Sequence, residues 1–208
     1  MLPRTIAQLF VLAVIVAISV VVIPAPPAQA YPTQPPFEIS FPQETAKTSF
    51  HNDWGDRRRG HRHRGNDLMA TEKMTEVYAI ADGVVTKVNE RSRPGRYLSI
   101  EHADGWESLY IHLNDDNLGT DDGVADWSLT LAPGIEEGSS VEAGQLIGWA
   151  GDSGNAEGAN PHTHFELSYE GHEVNPYYAL QDAYARDHQT YLFKQWVVEN
   201  GFGIYEIT

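Results

Sequence analysis

The stretch Asn160-Pro161-His162-Thr163-His164-Phe165-Glu166-Leu167 constrains this chain more than any other. From His162 on, polar and apolar residues alternate, which is the period of a half-buried β-strand. Side chains i and i+2 share a strand face, so His162, His164 and Glu166 line one face while Phe165 and Leu167 point into a core. Two imidazoles presented side by side suit a metal site, or a metal ligand next to a catalytic base. A second pair lies upstream. His63 and Asp67 stand four residues apart across the turn at Gly65, a spacing that can bring one imidazole and one carboxylate onto a shared ion. The arginines around them, from Arg57 to Arg64, read as a basic, solvated loop.

The chain has no cysteine. Any zinc is therefore held by His and carboxylate, and a disulfide scaffold is excluded. With 208 residues, 41% hydrophobic and 21% charged, the chain is long and apolar enough for one globular domain with a real core. Its net charge of -15 argues against nucleic acid as a partner and against electrostatic attachment to an anionic membrane. Arg4 precedes an apolar run from Leu9 to Ile23, broken only by Ser19; Pro24, Pro26 and Pro27 follow, then Ala28-Gln29-Ala30. That is the layout of a signal peptide cut before Tyr31, and it predicts export to the periplasm, cell envelope or exterior. A retained anchor is the alternative, since Ile6 to Ile23 can just span a bilayer.

Residues 31–55, with Pro32, Pro35, Pro36 and Pro42, read as an extended arm or linker in which Phe37, Ile39 and Phe41 suggest an edge strand. Val77 to Val88 predicts two strands about a turn at Asp82-Gly83. Tyr97–His102 and Glu107–Leu113 predict two more, joined at Ala103-Asp104-Gly105. Alternation on the last of these puts Tyr110 and His112 on one face. Residues 114–137 are acidic and read as a solvated insertion; Asp115, Asp116, Asp121, Asp122 and Asp126 miss the spacing of an EF-hand loop. Five glycines from Gly138 to Gly154 punctuate short strands, and Tyr177 to about Asn200 predicts a helix that Gly201 ends.

These blocks, in this order, resemble the lysostaphin-like, LytM-type zinc endopeptidases of bacterial cell walls. The matching residues are His63-Arg64-Gly65-Asn66-Asp67, Ala81-Asp82-Gly83-Val84-Val85, Tyr110-Ile111-His112-Leu113, Gly151-Asp152-Ser153-Gly154-Asn155, His162-Thr163-His164-Phe165-Glu166 and Asn175-Pro176. The resemblance covers roughly residues 60–180 and implies a mainly β fold, an antiparallel sheet with a substrate groove, here followed by a C-terminal helical segment. The implied organisation is a signal peptide 1–30, an arm 31–55, a peptidase domain 56–180 and a helical extension 181–208. The family's roles imply one catalytic zinc held by His63, Asp67 and His164, with His112 and His162 as the catalytic pair and Tyr110 and Asn155 as substrate contacts. The implied partner is peptidoglycan peptide, and signal cleavage would leave no stable membrane insertion.

Three alternatives accompany this reading. Gly151-Asp152-Ser153-Gly154 copies the surroundings of a serine-protease nucleophile. A non-hydrolytic peptidoglycan-binding or amidase-activating protein would share the fold. His61, two residues before His63, could replace it as a ligand if the loop register slips.

Overall fold

The computed structural model describes residues 31–199. The expected signal segment and residues 200–208, including the expected helix stop at Gly201, lie outside the described residues. The elements are β1 (Thr48–Ser49), β2 (Arg57–Arg58), β3 (His61–Arg62), β4 (Asn66–Ala70), β5 (Glu76–Tyr78), β6 (Gly83–Arg91), β7 (Gly95–His102), β8 (Trp106–Leu113), β9 (Ser140–Val141), β10 (Leu146–Trp149), β11 (His162–Tyr169), β12 (His172–Val174) and α1 (Tyr177–Glu199). No helix among the described residues is long and apolar enough to cross a membrane.

Eight strands form one antiparallel sheet in the order β1-β4-β11-β8-β7-β6-β9, with β12 also on β11. The β5–β10 ribbon and the β2–β3 hairpin complete the strands. This is the mainly antiparallel architecture with one C-terminal helix that the sequence implied. β7 and β8 turn at Ala103-Asp104-Gly105 as expected, with Asp104 and Gly105 at φ of 58° and 79°, a region Asp and Gly tolerate best. The turn at Asp82-Gly83 differs from expectation because it closes no hairpin. β5 pairs with β10, while β6 pairs with β7 and β9. The local signal specifies a turn; the partner follows from distant packing, since Val77 and Ile147 are both fully buried.

One hydrophobic cluster joins Leu98, Ile100, Phe165 and Leu167 of the sheet to Val77 and Ile147 of the ribbon, Leu180 of α1 and Ile39 of the arm. Fully burying Phe165 and Leu167 stabilises the fold by roughly 1.5–3 kcal/mol each. It also sets the register of β11, because a one-residue slip would turn His162 and His164 into the core. Residues 37–41 do not form the edge strand that their alternation suggests. Ile39 and Phe41 are buried, but the backbone bonds are scattered, from Ser40 N to the Ile80 carbonyl and from Phe41 N to the Asp187 carboxylate on α1. Flanking prolines cannot donate to a ladder. On α1, Ala179, Leu180 and Ala183 are buried, whereas Leu192 and Phe193 are exposed.

The acidic segment 114–137 is only partly the solvated insertion its composition suggests. Asp115 and Asp116 are 6% and 2% exposed, and Asp152 beside them 1%. Arg96, buried on β7, holds the segment down by donating to Thr130 Oγ1 and the Ala125 carbonyl and by stacking on Trp127. Burial, followed by the charge of Asp116, pushes Asp115 up to about 6. Local composition carries no sign of these distant anchors.

Candidate metal centre

β4 and β11 run antiparallel with Asp67 opposite His164, so their side chains meet on one face. His63 reaches the same point through the turn at Gly65. That turn requires glycine, because a Cβ there would lie 2.2 Å from the Phe165 carbonyl oxygen and 3.1 Å from His164 Cε1. The three donors converge. His63 Nε2 is 3.0 Å from Asp67 Oδ1 and 2.8 Å from His164 Nδ1, and Asp67 Oδ1 is 2.9 Å from His164 Nδ1.

The remaining ring nitrogens are committed elsewhere. His63 Nδ1 donates to the Asp53 carbonyl at 3.0 Å, and His164 Nε2 donates to Glu166 Oε1 at 3.0 Å. Those bonds leave two lone pairs and a carboxylate oxygen aimed at one point, an arrangement that needs a cation or a shared proton between them. Ligand atoms ~2.0–2.1 Å from a tetrahedral zinc stand roughly 3.3 Å apart, so the triangle is only slightly contracted from the size zinc takes.

The electrostatics agree. Burial works against charge on His63, but hydrogen bonds to Asp53 and Asp67 outweigh it and push the ring up to about 9. Burial would raise Asp67; hydrogen bonds to His164 and His63 instead hold its carboxyl well below the usual range. His164 is raised by Asp67 and Glu166 in spite of its burial. A field that keeps a proton on these rings also favours a metal ion. Arg58 braces the centre from β2, its Nη2 donating to Asp67 Oδ2 at 2.7 Å and Asp53 Oδ2 at 3.1 Å.

His112 and His162 stand beside the triangle. Their ring centroids are 5.0 Å apart, and that of His112 is 6.2 Å from that of His164. His112 Nδ1 donates to the Ser153 carbonyl at 2.8 Å and His162 Nδ1 to the Asn160 carbonyl at 2.9 Å, which leaves both Nε2 atoms free for chemistry. Burial first, and then the charge of His162, hold His112 down at about 4, so it is neutral at pH 7.

These residues line a groove of about 810 Å³, with Asn155, Asn160, Ile111 and Arg93 on its walls. Tyr110 does not line it, contrary to the face shared with His112 in sequence. His112 adopts φ of 63°, next to a register shift between β7 and β8, and this bulge turns its ring to the groove. Tyr110 stays on the core face, fully buried, with its hydroxyl accepting the Ile80 amide at 3.0 Å. His61 lies on the groove wall against Arg93, 2.7 Å from Nη2, outside the triangle. Ser153 is fully buried, and its Oγ accepts the Arg96 amide, which removes it as a nucleophile. Sequence reasoning missed Asp53 and Arg58. Asp53 sits in the arm, ten residues before its partner His63, and no local pattern marks it.

Residues 61–176 match Peptidase family M23. The chain is 34% identical over 114 residues to the DD-carboxypeptidase/endopeptidase Mpg of Neisseria meningitidis, a match covering 55% of this chain and 22% of that protein. It is 33% identical over 113 residues to the peptidoglycan DD-endopeptidase ShyA of Vibrio cholerae, covering 54% and 22%. It therefore spans about a fifth of the length of these curated relatives. A zinc containing peptidase from Vibrio cholerae of known structure superposes with a TM-score of 0.54 at 26% identity, over 69% of this chain and 40% of that one. The matched span holds His63, Asp67, His112, His162 and His164, and it places the chain in Peptidase family M23, the family toward which its lysostaphin-like motifs pointed.

Proposed function

We propose that this M23 peptidase is a zinc-dependent endopeptidase that cuts the peptides of bacterial peptidoglycan, and that residues 1–30 direct its export and are then removed. The observation that carries the reading is the triangle of His63 Nε2, Asp67 Oδ1 and His164 Nδ1, no edge longer than 3.0 Å, in a groove that also holds His112 and His162. Two imidazoles and one carboxylate fit zinc, and three protein ligands is the number of a catalytic site, whereas structural sites have four. Bound there, zinc would supply Lewis-acid polarisation of a carbonyl and would lower the pKa of a water toward neutrality.

The chain's own residues supply the rest. His112, neutral and tethered at Nδ1, accepts a proton at Nε2 and returns it to the leaving amine. His162, tethered at Nδ1 by Asn160, presents Nε2 to the same space and steadies the developing oxyanion when protonated. Asp53, Arg58 and Glu166 fix the orientation of the three ligands. Asn155 and Asn160 offer amide groups to a peptide lying in the groove. Peptidoglycan as substrate rests on similarity to ShyA, whose name states that activity.

The test is purified protein on isolated peptidoglycan, with products identified by mass spectrometry. New peptide termini should appear, vanish with a chelator and return with zinc. Binding without a cut bond would support the non-hydrolytic alternative instead. N-terminal sequencing of protein from the producing cell should begin at Tyr31; an intact Met1 in the membrane pellet would indicate an anchor.

A further inference from the structure

We propose that Asp115, Asp116 and Asp152, with Glu157 at the rim, form a second cation site, apart from the triangle of His63, Asp67 and His164, that takes a calcium ion. Carboxylate oxygens of Asp115, Asp116 and Asp152 all lie within 4.8 Å of one another, and all three residues are buried. Calcium binds oxygen at about 2.4 Å, so two of its ligands stand at most about 4.8 Å apart. The donors are hard oxygens from separate segments, which suits calcium's irregular shell of six to eight ligands better than the strict octahedron of magnesium.

Acidic clusters on a surface need no ion, since water solvates them. This one differs in two respects. Its carboxylates are buried, at 6%, 2% and 1% exposure, where a charge is unfavourable unless compensated. Its compensation is also incomplete. Lys73 Nζ reaches Asp116 Oδ2 at 2.5 Å, Asp121 Oδ1 at 2.6 Å and Asp152 Oδ1 at 2.8 Å, yet forms no ion pair with Asp115. Arg96 lies near, but its guanidinium is spent on Thr130, Ala125 and Glu90. Asp115 Oδ1 is therefore buried with no hydrogen-bond partner. Asp115 Oδ2 and Glu157 Oε2 both lie 3.9 Å from the point where a Cβ on Gly123 would stand, so these carboxylates face a common space. The group counts Asp115, Asp116, Asp121, Asp152 and Glu157 against the one ammonium of Lys73. A divalent cation beside Lys73 would satisfy the oxygen that Lys73 leaves alone.

The position gives the site a consequence. Asp152 precedes Ser153, whose carbonyl holds His112 Nδ1. Glu157 lies in the loop that continues to Asn160, whose carbonyl holds His162. An ion here would tie the acidic segment to the loop that orients both histidines.

The test uses the zinc-loaded protein, so that the first site is already filled. Its unfolding midpoint is measured without added divalent ion, with calcium and with magnesium, and binding is followed by calorimetry. Calcium at about 100 times its Kd should raise the midpoint by roughly 5–10 °C, with one ion per chain beyond zinc. Asp115→Asn should abolish the response. Glu157→Gln, a change at an exposed residue that leaves the core intact, should weaken binding at least several-fold. No calcium-dependent shift in the unaltered protein would overturn the proposal. An undiminished response in folded Asp115→Asn or Glu157→Gln would overturn it equally, and an equal response to magnesium would overturn the assignment to calcium.

Discussion

Gly65→Ala should dismantle the metal centre without touching a ligand. The added Cβ would stand 2.2 Å from the Phe165 carbonyl oxygen and 2.9 Å from its carbon, both backbone atoms that cannot rotate away. Relief to a contact of about 3.0 Å requires β4 and β11 to part by roughly 0.8 Å, a large fraction of the slack in a ladder with ~4.8 Å spacing. Overpacking of this kind costs about 1–3 kcal/mol of stability. The metal should feel more. Asp67 and His164 face each other across this pair of strands, while zinc ligation tolerates only about ±0.2 Å. Zinc affinity should therefore fall by roughly 100-fold or more, above the usual effect of losing an orienting bond. Gly134→Ala is the control. It adds a Cβ with nothing within 4 Å at φ of 82°, so it should lower stability and leave zinc affinity alone. The assay is zinc competition against a chromophoric chelator, beside urea unfolding of the same samples. A Gly65→Ala protein that binds zinc as tightly as the unaltered one would refute the claim that the approach of these strands sets the site.

Other outcomes follow from the same geometry. His112→Ala and His162→Ala should each keep one zinc per chain while lowering peptidoglycan cleavage by roughly 10²–10⁴, and loss of zinc in either would reassign that residue as a ligand. Glu166→Ala removes the acceptor of His164 Nε2 and should weaken zinc binding by roughly 10–100-fold, read by the same competition assay. Zinc content should be lost in His63→Ala and kept in His61→Ala; the reverse pattern would move the ligand to His61. His102 is buried, bonded to Ser108 Oγ and the Asp82 carbonyl, and burial holds its pKa below the ordinary value. It is neutral in the fold, and the unfolded chain takes up its proton near pH 6.5. Its contribution is thus fully present above about pH 6.5 and is lost as pH falls toward the folded value, at no more than about 1.4 kcal/mol per pH unit. Urea midpoints of metal-free protein at pH 7 and pH 5 should fall less in His102→Gln than in the unaltered chain, and an equal fall would count against this.

What was legible in the sequence depended on local periodicity. The alternation of His162 to Leu167 specified both a strand and its two faces, because Phe165 and Leu167 have one place to go. The spacing of His63 to Asp67 was equally readable, since both ends of the turn belong to one short segment. The misreadings arose where a distant partner decides the local conformation. His112 follows the alternation of β8 up to Tyr110 and then leaves it through a positive φ that no residue type announces. The β5–β10 ribbon replaced an expected hairpin because pairing answered to a core assembled from both. Asp115 and Asp116 looked solvated by composition, yet Lys73 and Arg96, far away in sequence, bring their segment down onto the domain. Asp53 was invisible for the same reason: its value to the centre lies in one carbonyl oxygen and one carboxylate that meet His63 and Arg58 only once the arm has docked.

The most direct test of the central claim is a zinc titration of chelator-stripped protein, with peptidoglycan cleavage followed at each step. Cleavage should be absent in the stripped protein, rise in proportion to bound zinc and saturate at one ion per chain, with Asp67→Ala silent throughout at the same zinc concentrations. Full cleavage by the stripped protein, or by Asp67→Ala, would contradict the account.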